Sequence, residues 1–444
     1  MNSLKLALAL ALGASPFAAA QEAPPPPAPA DATATAMRLL DRLDAGRYAD
    51  AEAMLAAPMA AAVPADKLKA VWESLPAQAG AARGRGDAQA APRGDAVLVG
   101  IPLHFANAEL LARVAVGADG KVAGFLVQPA AAAPAPAVDG DAAFVERDLP
   151  VGEGERALPG TLALPKGDAP APGWPAVVLV HGSGAHDRDE TIGPNRPFLD
   201  LARGLAAQGI AVLRYEKRSK ARPQDFAGDA FGIDDETTND AVLAVDTLRR
   251  TAGIDPARVF VLGHSQGGMM APRIAAVSGH VAGLVLMAAP SRPLLDIVVE
   301  QNRRLAVLDD GHTSDAEREA IAALAAQVRA TRDPATDPAT RTVLNQPVAY
   351  WRSVDAVDPV AEARAVALPM LVLQGARDIQ VVDADWGRWR AAFHADPDVA
   401  FKLYPALNHL GIAGEGEGGV AEYAVPGHVD AQLVDDVAAW VRAH

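Results

Sequence analysis

Short apolar runs recur along the chain from about residue 142 onward, and segments with helical apolar spacing lie between them. A strand buried on both faces has such a continuous run, and repeated strand–helix–strand units imply a mostly parallel sheet with helices on both sides. We therefore predict an α/β fold with a mostly parallel eight-stranded sheet for residues 141–444. The predicted strands are 143–149, 157–164, 176–180, 210–215, 259–262, 284–287, 370–373 and 399–404. The predicted helices between them are 198–208, 238–250, 266–276, 386–393 and 429–442.

One interval, from residue 291 to about residue 352, contains no strand candidate. Residues 294–308 and 316–328 within it have the apolar spacing of helices. An insertion that follows one strand and precedes the next lies above the carboxyl edge of the sheet, where α/β folds bind their ligands. We therefore predict a helical cap over this edge.

The segment before the α/β region, residues 31–128, has the size of a domain and a different pattern. Its first half has apolar residues spaced by three and four, as at Leu39, Leu40 and Leu43, which predicts helices. Its second half predicts a strand meander, with a turn at Asp119-Gly120. We predict a small α+β domain with no catalytic constellation, in which the single histidine, His104, has a structural role. The predicted strands are 97–105, 110–116 and 122–127.

Biased segments flank that domain. Residues 1–20 contain Lys5, an apolar Leu/Ala run and a final triplet of alanines, which is the pattern of a cleaved secretory signal peptide. Residues 21–30 are rich in proline, and residues 129–140 are rich in alanine and proline, so both favour extended linkers. We expect a periplasmic or secreted protein. No membrane span is expected, because the N-terminal apolar run is shorter than the roughly 20 residues that a span requires.

Composition narrows the function classes. Half of the 444 residues are hydrophobic, which is enough for a sizeable core and, at roughly 150 residues per domain, for two or three domains. The chain has no cysteine, which excludes disulfides and thiolate metal sites. A formal net charge of −15 gives no electrostatic attraction to nucleic acid. A homodimer is one of the oligomeric states that this composition allows.

The run Gly263-His264-Ser265-Gln266-Gly267 matches the nucleophile-elbow pattern G-x-S-x-G. In that motif a serine occupies a sharp turn from a strand to a helix, so the residues two positions before and after it must be small. The alternative is an ordinary glycine-rich loop. Because a predicted strand precedes this run and a predicted helix follows it, the pattern favours the elbow, with Ser265 as the nucleophile.

A serine nucleophile requires a base, and in this fold the chain order is serine, acid, histidine. His409 follows the last predicted strand and is the candidate base, with His428, just before the last helix, as the alternative. Asp378 follows the preceding predicted strand and is the candidate acid. Asp383 and Asp385 are alternatives, although both are expected to begin the next helix.

An oxyanion hole requires backbone N–H groups directed at the negative charge that develops in the transition state. The residue after the nucleophile, Gln266, supplies one of them in this motif. The second is expected from the loop after residues 176–180, where Ser183 is the first choice and Gly182 the alternative. His181, which begins this loop, is expected to order it by hydrogen bonding and not to transfer protons.

Two other polar runs follow these loops. Residues 186–190 match no helical H-E-x-x-H pattern and no common zinc spacing, so we predict a hydrogen-bonded loop instead of a metal site. No P-loop pattern for nucleotide hydrolysis occurs, and we expect no cofactor. The second run is basic, and we predict a solvated loop for it. Its members are Lys217, Arg218, Lys220 and Arg222.

Five pieces of the sequence form a recognisable set: His181-Gly182-Ser183-Gly184, Asp187-Arg188-Asp189-Glu190, Arg214-Tyr215-Glu216-Lys217-Arg218, Gly263-His264-Ser265-Gln266-Gly267-Gly268 and Leu407-Asn408-His409. Together they resemble a bacterial branch of α/β-hydrolases, the dienelactone-hydrolase-like short-chain carboxylesterases. Several members carry a small N-terminal domain of unknown function. The resemblance covers residues 142–444 and implies esterase activity on short acyl chains, with Ser265, Asp378 and His409 as the triad. Ser219 departs from the branch, because many α/β-hydrolases have glycine after the Lys-Arg pair.

These residues predict a serine carboxylesterase that forms an acyl-enzyme intermediate on a small-molecule ester. A thioesterase, lactonase, amidase or peptidase would use the same triad, and the fold alone does not choose among them. A non-catalytic exported binding protein on the same scaffold is an alternative of another class. That alternative predicts a missing triad member, whereas candidates for all three are present.

Overall fold

The structure is a computed structural model, and it describes residues 28–79, 81–94, 96–105, 109–130 and 135–444. The chain divides into two compact units, Met1–Ala133 and Pro134–His444. The predicted signal peptide at residues 1–20 and most of the predicted linker at residues 21–30 lie outside the described residues. The end of that linker prediction was wrong, because a helix already begins at Pro29. Proline fits the first turn of a helix, where its missing N–H has no partner to lose.

Within the described residues of the first unit, four helices precede five strands. The strands form one antiparallel sheet in which the third strand pairs with the first, the second and the fourth. The helices are α1 (Pro29–Asp44), α2 (Tyr48–Glu52), α3 (Ala57–Ala62) and α4 (Ala65–Ala79). The strands are β1 (Ala82–Arg85), β2 (Gln89–Arg93), β3 (Ala96–Phe105), β4 (Glu109–Gly117) and β5 (Val122–Pro129).

The core of this unit explains why its apolar pattern predicts helices followed by strands. Every second residue of β3, such as Val97, Val99 and Ile101, is buried, and these residues share one cluster with Leu39 and Leu40 of α1. The predicted α+β arrangement is therefore confirmed. β1 and β2 were not predicted, because their residues are nearly all exposed and show no apolar alternation.

The second unit contains the predicted eight-stranded sheet. Its strands are β6 (Phe144–Asp148), β7 (Gly160–Pro165), β8 (Trp174–Val180), β9 (Ala211–Tyr215), β10 (Ile254–His264), β11 (Leu284–Met287), β12 (Met370–Gly375) and β13 (Val399–Tyr404). Their order in the sheet is β13-β12-β11-β10-β8-β9-β7-β6. The β6–β7 and β7–β9 pairs are antiparallel and the other pairs are parallel, which confirms a mostly parallel sheet.

Helices cover both faces of this sheet, as predicted for a doubly covered α/β fold. Alternate residues of β8 belong to different cores: Val178 packs in the cluster of α7 and α8, whereas Val177 packs in the cluster of α5 and α14. The helices are α5 (Pro197–Ala206), α6 (Arg218–Ala221), α7 (Asn239–Arg249), α8 (Gln266–Ser278), α9 (Leu294–Asp310), α10 (Asp315–Arg332), α11 (Val348–Asp355), α12 (Pro359–Val366), α13 (Asp383–Phe393) and α14 (Ala431–Ala443).

The interval between β11 and β12 is helical, as the absence of a strand pattern predicted. It contains four α-helices of the described chain, α9, α10, α11 and α12. Among the residues that the structure describes, no helix is both long enough and apolar enough to cross a bilayer.

The register of the parallel strands brings their carboxyl ends to one edge. Gly263 near the end of β10 is opposite Val180 at the end of β8, and Gly375 at the end of β12 is opposite Tyr404 at the end of β13. The loops that leave these four strands therefore meet at the same edge. They carry the candidate nucleophile, acid, base and oxyanion donors.

Candidate active site

Ser265 is the single residue between β10, which ends at His264, and α8, which begins at Gln266. Its backbone has φ 50° and ψ −121°, a conformation that costs a non-glycine residue about 1–3 kcal/mol. The Ser265 N–H donates to the carbonyl of Met287 at 2.9 Å, which ties the turn to the end of β11. The strand-to-helix turn predicted from the sequence is thus present.

The glycines on either side of Ser265 are required by close backbone approach. A Cβ on Gly263 would overlap the carbonyl group of Gly267. A Cβ on Gly267 would in turn overlap the carbonyl group of Val180. The elbow therefore fits against the end of β8 only because both positions lack a side chain.

His409 and Asp378 meet at the carboxyl ends of β13 and β12. Nδ1 of His409 lies 2.8 Å from Oδ2 of Asp378, and both side chains are almost completely buried. The other oxygen, Oδ1, accepts the N–H groups of Gln380 at 2.8 Å and Val381 at 3.0 Å, which fix the carboxylate. An imidazole that donates Nδ1–H to this carboxylate keeps Nε2 as a proton acceptor.

His409 lies beside the residue that precedes Ser265. The rings of His264 and His409 are 4.7 Å apart between centroids, and Nε2 of His264 is 2.9 Å from the carbonyl oxygen of His409. The structure therefore places Ser265, His409 and Asp378 in loops at the same edge of the sheet.

The alternative acids and base lie elsewhere. The side chain of His428 is 88% exposed and pairs with Asp200. Asp383 is exposed at the start of α13. Asp385 is fully buried, but its Oδ2 binds the guanidinium of Arg292 at 2.7 Å. The contacts of His428 and Asp385 are therefore with residues other than Ser265, and Asp383 faces solvent.

The loop after β8 lies directly against the nucleophile. A Cβ on Gly182 would be 3.3 Å from Cβ of Ser265. The N–H of Gly182 already donates to Oε1 of Glu190 at 2.6 Å, so the alternative oxyanion donor is occupied. Ser183 is exposed, and its N–H stays the candidate. Gln266, as the first residue of α8, has an N–H that no helical carbonyl can accept.

Sequence reasoning missed the ion pair between Glu190 and His264. Glu190 Oε2 lies 3.0 Å from His264 Nδ1, without the alignment of a hydrogen bond, and both side chains are at least 97% buried. Burial alone would raise the pKa of Glu190, but the nearby imidazoles, with His264 first among them, together outweigh burial and lower the pKa to about 2. Burial alone would lower the pKa of His264, and the Glu190 carboxylate raises it instead. His264 of the elbow and Glu190 of the loop after β8 therefore form a buried ion pair.

The loop at residues 186–190 is hydrogen bonded, as predicted. The ring Nε2 of His181 is 3.0 Å from the carbonyl oxygen of Asp187, and burial lowers the pKa of His181 to about 3. Oδ1 of Asp187 also accepts the N–H of Thr191 at 2.9 Å. Across the described ranges, no group of three His, Asp or Glu side chains is placed to hold a metal ion.

The prediction of a solvated basic loop was wrong for Lys217 and Arg218. Both side chains are buried, and Arg218 binds Asp240 through Nε at 2.9 Å. Lys217 pairs with Glu236, Nζ to Oε1, at 3.3 Å. These carboxylates lie about twenty residues away in the chain, so the basic run alone does not reveal its partners.

Comparison with known proteins matches both parts of the chain to protein families. A family model described as "Serine aminopeptidase, S33" matches residues 174–415, and one of unknown function, DUF3887, matches residues 36–125. Esterase EstD of Thermotoga maritima is 34% identical over 408 residues, which cover 91% of this chain and 94% of that protein. The solved structure of Est1E from Butyrivibrio proteoclasticus is 15% identical, with a TM-score of 0.42, and the match covers 67% of this chain and 99% of that one.

The S33 match extends from the start of β8 through His409, so it includes the elbow and the loops that carry the candidate acid and base. It covers more than half of the chain. With the parallel sheet, the strand-to-helix turn at Ser265 and the relationship to EstD along nearly the whole chain, the protein belongs to the S33 family of α/β-hydrolases and is a serine hydrolase.

Proposed function

We propose that the protein is a carboxylesterase that hydrolyses short-chain esters of small molecules with Ser265, His409 and Asp378. The observation that carries the proposal is the 2.8 Å hydrogen bond between buried His409 and Asp378 at the edge where Ser265 forms the elbow. The extent of the similarity to Esterase EstD supports an ester as the substrate.

The proposed reaction passes through an acyl-enzyme. Oγ of Ser265 attacks the ester carbonyl while Nε2 of His409 accepts its proton, and Asp378 stabilises the imidazolium. The N–H groups of Gln266 and Ser183 bind the oxyanion of the tetrahedral intermediate. His409 then gives the proton to the leaving alcohol. Water repeats the sequence on the acyl group and releases the carboxylic acid and free Ser265.

A second candidate is the hydrolysis of amides or peptides, which the description of the family model favours. The same triad would serve, because only the leaving group changes from an alcohol to an amine. Aminoacyl p-nitroanilides and p-nitrophenyl esters distinguish the two. Faster turnover of the anilides, compared by kcat/KM, would replace the esterase proposal with a peptidase.

The test is turnover of p-nitrophenyl esters of graded acyl length by the natural protein and by Ser265→Ala. We expect acetate and butyrate esters to be hydrolysed fastest, and Ser265→Ala to lower kcat by at least about 10³-fold. A fluorophosphonate probe should label the natural protein and leave Ser265→Ala unlabelled. Equal rates for the two proteins would refute the proposal.

A further inference from the structure

Lys217 lies directly behind the candidate oxyanion hole. It follows β9 and precedes α6, and its side chain is only 3% exposed. Its ammonium donates to the carbonyl oxygen of Gly182 at 2.7 Å and to Oε1 of Gln266 at 3.3 Å. One buried cation thus contacts both loops that carry the candidate oxyanion donors.

The contact with Gly182 has a specific consequence for Ser183. The carbonyl of Gly182 and the N–H of Ser183 belong to the same peptide group. A cation on the carbonyl oxygen draws electron density through that group and makes its N–H a stronger donor. Glu190 accepts the N–H of Gly182 itself. Gly182 is therefore held by a buried anion on its N–H and a buried cation on its carbonyl.

We propose that Lys217 is a positioning residue for the oxyanion hole, whose ammonium fixes and polarises the Gly182–Ser183 peptide group so that the Ser183 N–H stabilises the oxyanion. This inference rests on the proposed function, in which Ser183 and Gln266 bind the oxyanion. Lys217 touches neither substrate nor reacting atoms in this role. It acts through the peptide group that it holds.

The surroundings of Lys217 argue against a role in stability alone. Its carboxylate partner, Glu236, also accepts the hydroxyl of Tyr350 from α11 at 2.7 Å, and Gln266 Nε2 donates to the same hydroxyl at 3.3 Å. A buried ion pair carries a large desolvation cost, and packed apolar residues of similar volume are often equally or more stabilising. Folding alone therefore gives no reason for an ammonium at this position.

The experiment compares catalysis with binding in a variant that removes both charges, Lys217→Met with Glu236→Gln, so that no unpaired ion is left buried. We expect kcat for p-nitrophenyl acetate to fall about 10- to 100-fold with KM changed less than about threefold. Affinity for an alkyl trifluoromethyl ketone, which forms a tetrahedral adduct, should fall in parallel with kcat/KM. If this variant does not fold, Lys217→Gln with Glu236→Gln keeps a neutral donor at the same place.

The matched control is Arg218→Met with Asp240→Asn, which removes the neighbouring buried ion pair. Arg218 bonds to Asp240 and Asp225 and not to the oxyanion loops. The control should lower the thermal midpoint and leave kcat and ketone affinity within about threefold of the natural protein.

Each outcome is decisive. A folded Lys217 variant with unchanged kcat and ketone affinity overturns the inference, as does an equal loss in the Arg218 control. A fold that is lost in both Lys217 variants but kept in the control makes Lys217 a purely structural residue. If Ser265→Ala is fully active, the proposed function fails. If Ser265→Ala is inactive while the Lys217 variants are unaffected, only this inference fails.

Discussion

At the scale of single residues, three buried histidines at the carboxyl edge of the sheet have different surroundings and different tasks. His181 is buried, and burial outweighs the charge of Glu190 and lowers the pKa of His181 to about 3. His264 is equally buried, but the Glu190 carboxylate raises its pKa. His409 is held by Asp378 at 2.8 Å. The surroundings of each ring, and not the residue type, therefore distinguish the histidine that orders the loop after β8, the histidine paired with Glu190 and the candidate base.

Replacing the candidate base tests this assignment directly. We expect His409→Ala to lower kcat for p-nitrophenyl acetate by at least about 10³-fold, because Ser265 then has no proton acceptor. His428→Ala is the matched control, since this histidine follows the last strand as well but is exposed beside Asp200. Steady-state assays of both variants make the comparison. A large loss in His428→Ala with an active His409→Ala would reverse the assignment.

Glu190→Gln should destabilise the protein by about 3 kcal/mol near pH 6, because it leaves the buried charge of His264 without its partner. Folding lowers the pKa of the Glu190 carboxylate from 4.5 to about 2. The carboxylate therefore stabilises the folded protein above pH 4.5, and this stabilisation is lost as the pH falls toward 2. Folding raises the pKa of His264 above 6.5. Protonated His264 therefore stabilises the folded protein below pH 6.5, and this stabilisation is lost as the pH rises through the raised pKa. The difference in the free energy of unfolding between the natural protein and Glu190→Gln should therefore be largest between pH 4.5 and 6.5.

Urea unfolding of both proteins between about pH 3 and pH 9 measures this difference. A gap in unfolding free energy that stays constant over the whole range would contradict an ionised pair.

At the scale of elements, the start of the cap is attached to α13. Oδ1 of Asp385 accepts the backbone N–H groups of Ser291 at 2.9 Å and Arg292 at 3.1 Å, and Oδ2 binds the Arg292 guanidinium. Ser291 and Arg292 lead from β11 into α9. A fully buried carboxylate thus sets the direction in which the chain leaves the sheet.

Asp385→Asn should lower the free energy of unfolding by about 2 kcal/mol, because the guanidinium of Arg292 loses the buried one of its two carboxylate partners and keeps only Glu300. Asp383→Asn, two residues earlier on the exposed side of the same helix, should change it by less than about 0.5 kcal/mol. Urea denaturation of the two variants gives both values. Similar values for the two would show that Asp385 does not anchor the cap.

At the scale of the whole molecule, each unit has its own core. The first unit buries one cluster around α1 and β3, and the second buries one on each face of its eight-stranded sheet. All candidate site residues, from Gly182 to His409, belong to the second unit. Independent cores are the condition for units that fold separately.

A chain that begins at Ala135 should therefore fold alone, with one cooperative thermal transition and a kcat for p-nitrophenyl acetate close to that of the full chain. Circular dichroism on heating and steady-state kinetics measure the two properties. A shortened chain that folds but has lost its activity would assign the first unit a part in catalysis.

The positions of the strands and of the site residues on the chain followed from local patterns. β11 has the predicted bounds, because a strand buried on both faces is apolar throughout. β13 has them as well, although it lies at the edge of the sheet and is only partly buried. β1 and β2 gave no such signal, since pairing with β3 and not burial makes them strands. The predicted end of the linker at Ala30 was wrong, because proline is compatible both with a linker and with the start of a helix.

We could predict the α/β fold, the elbow at Ser265 and the candidates Asp378 and His409 from local patterns, because each depends on neighbours close in the chain. Three-dimensional packing was needed to show that the Gly182 N–H is occupied, that Glu190 is paired with His264, and that Lys217 is buried. These facts depend on contacts between loops that leave different strands. A charged residue has the same appearance in a sequence whether its partner is water or a distant carboxylate, and only packing distinguishes the two.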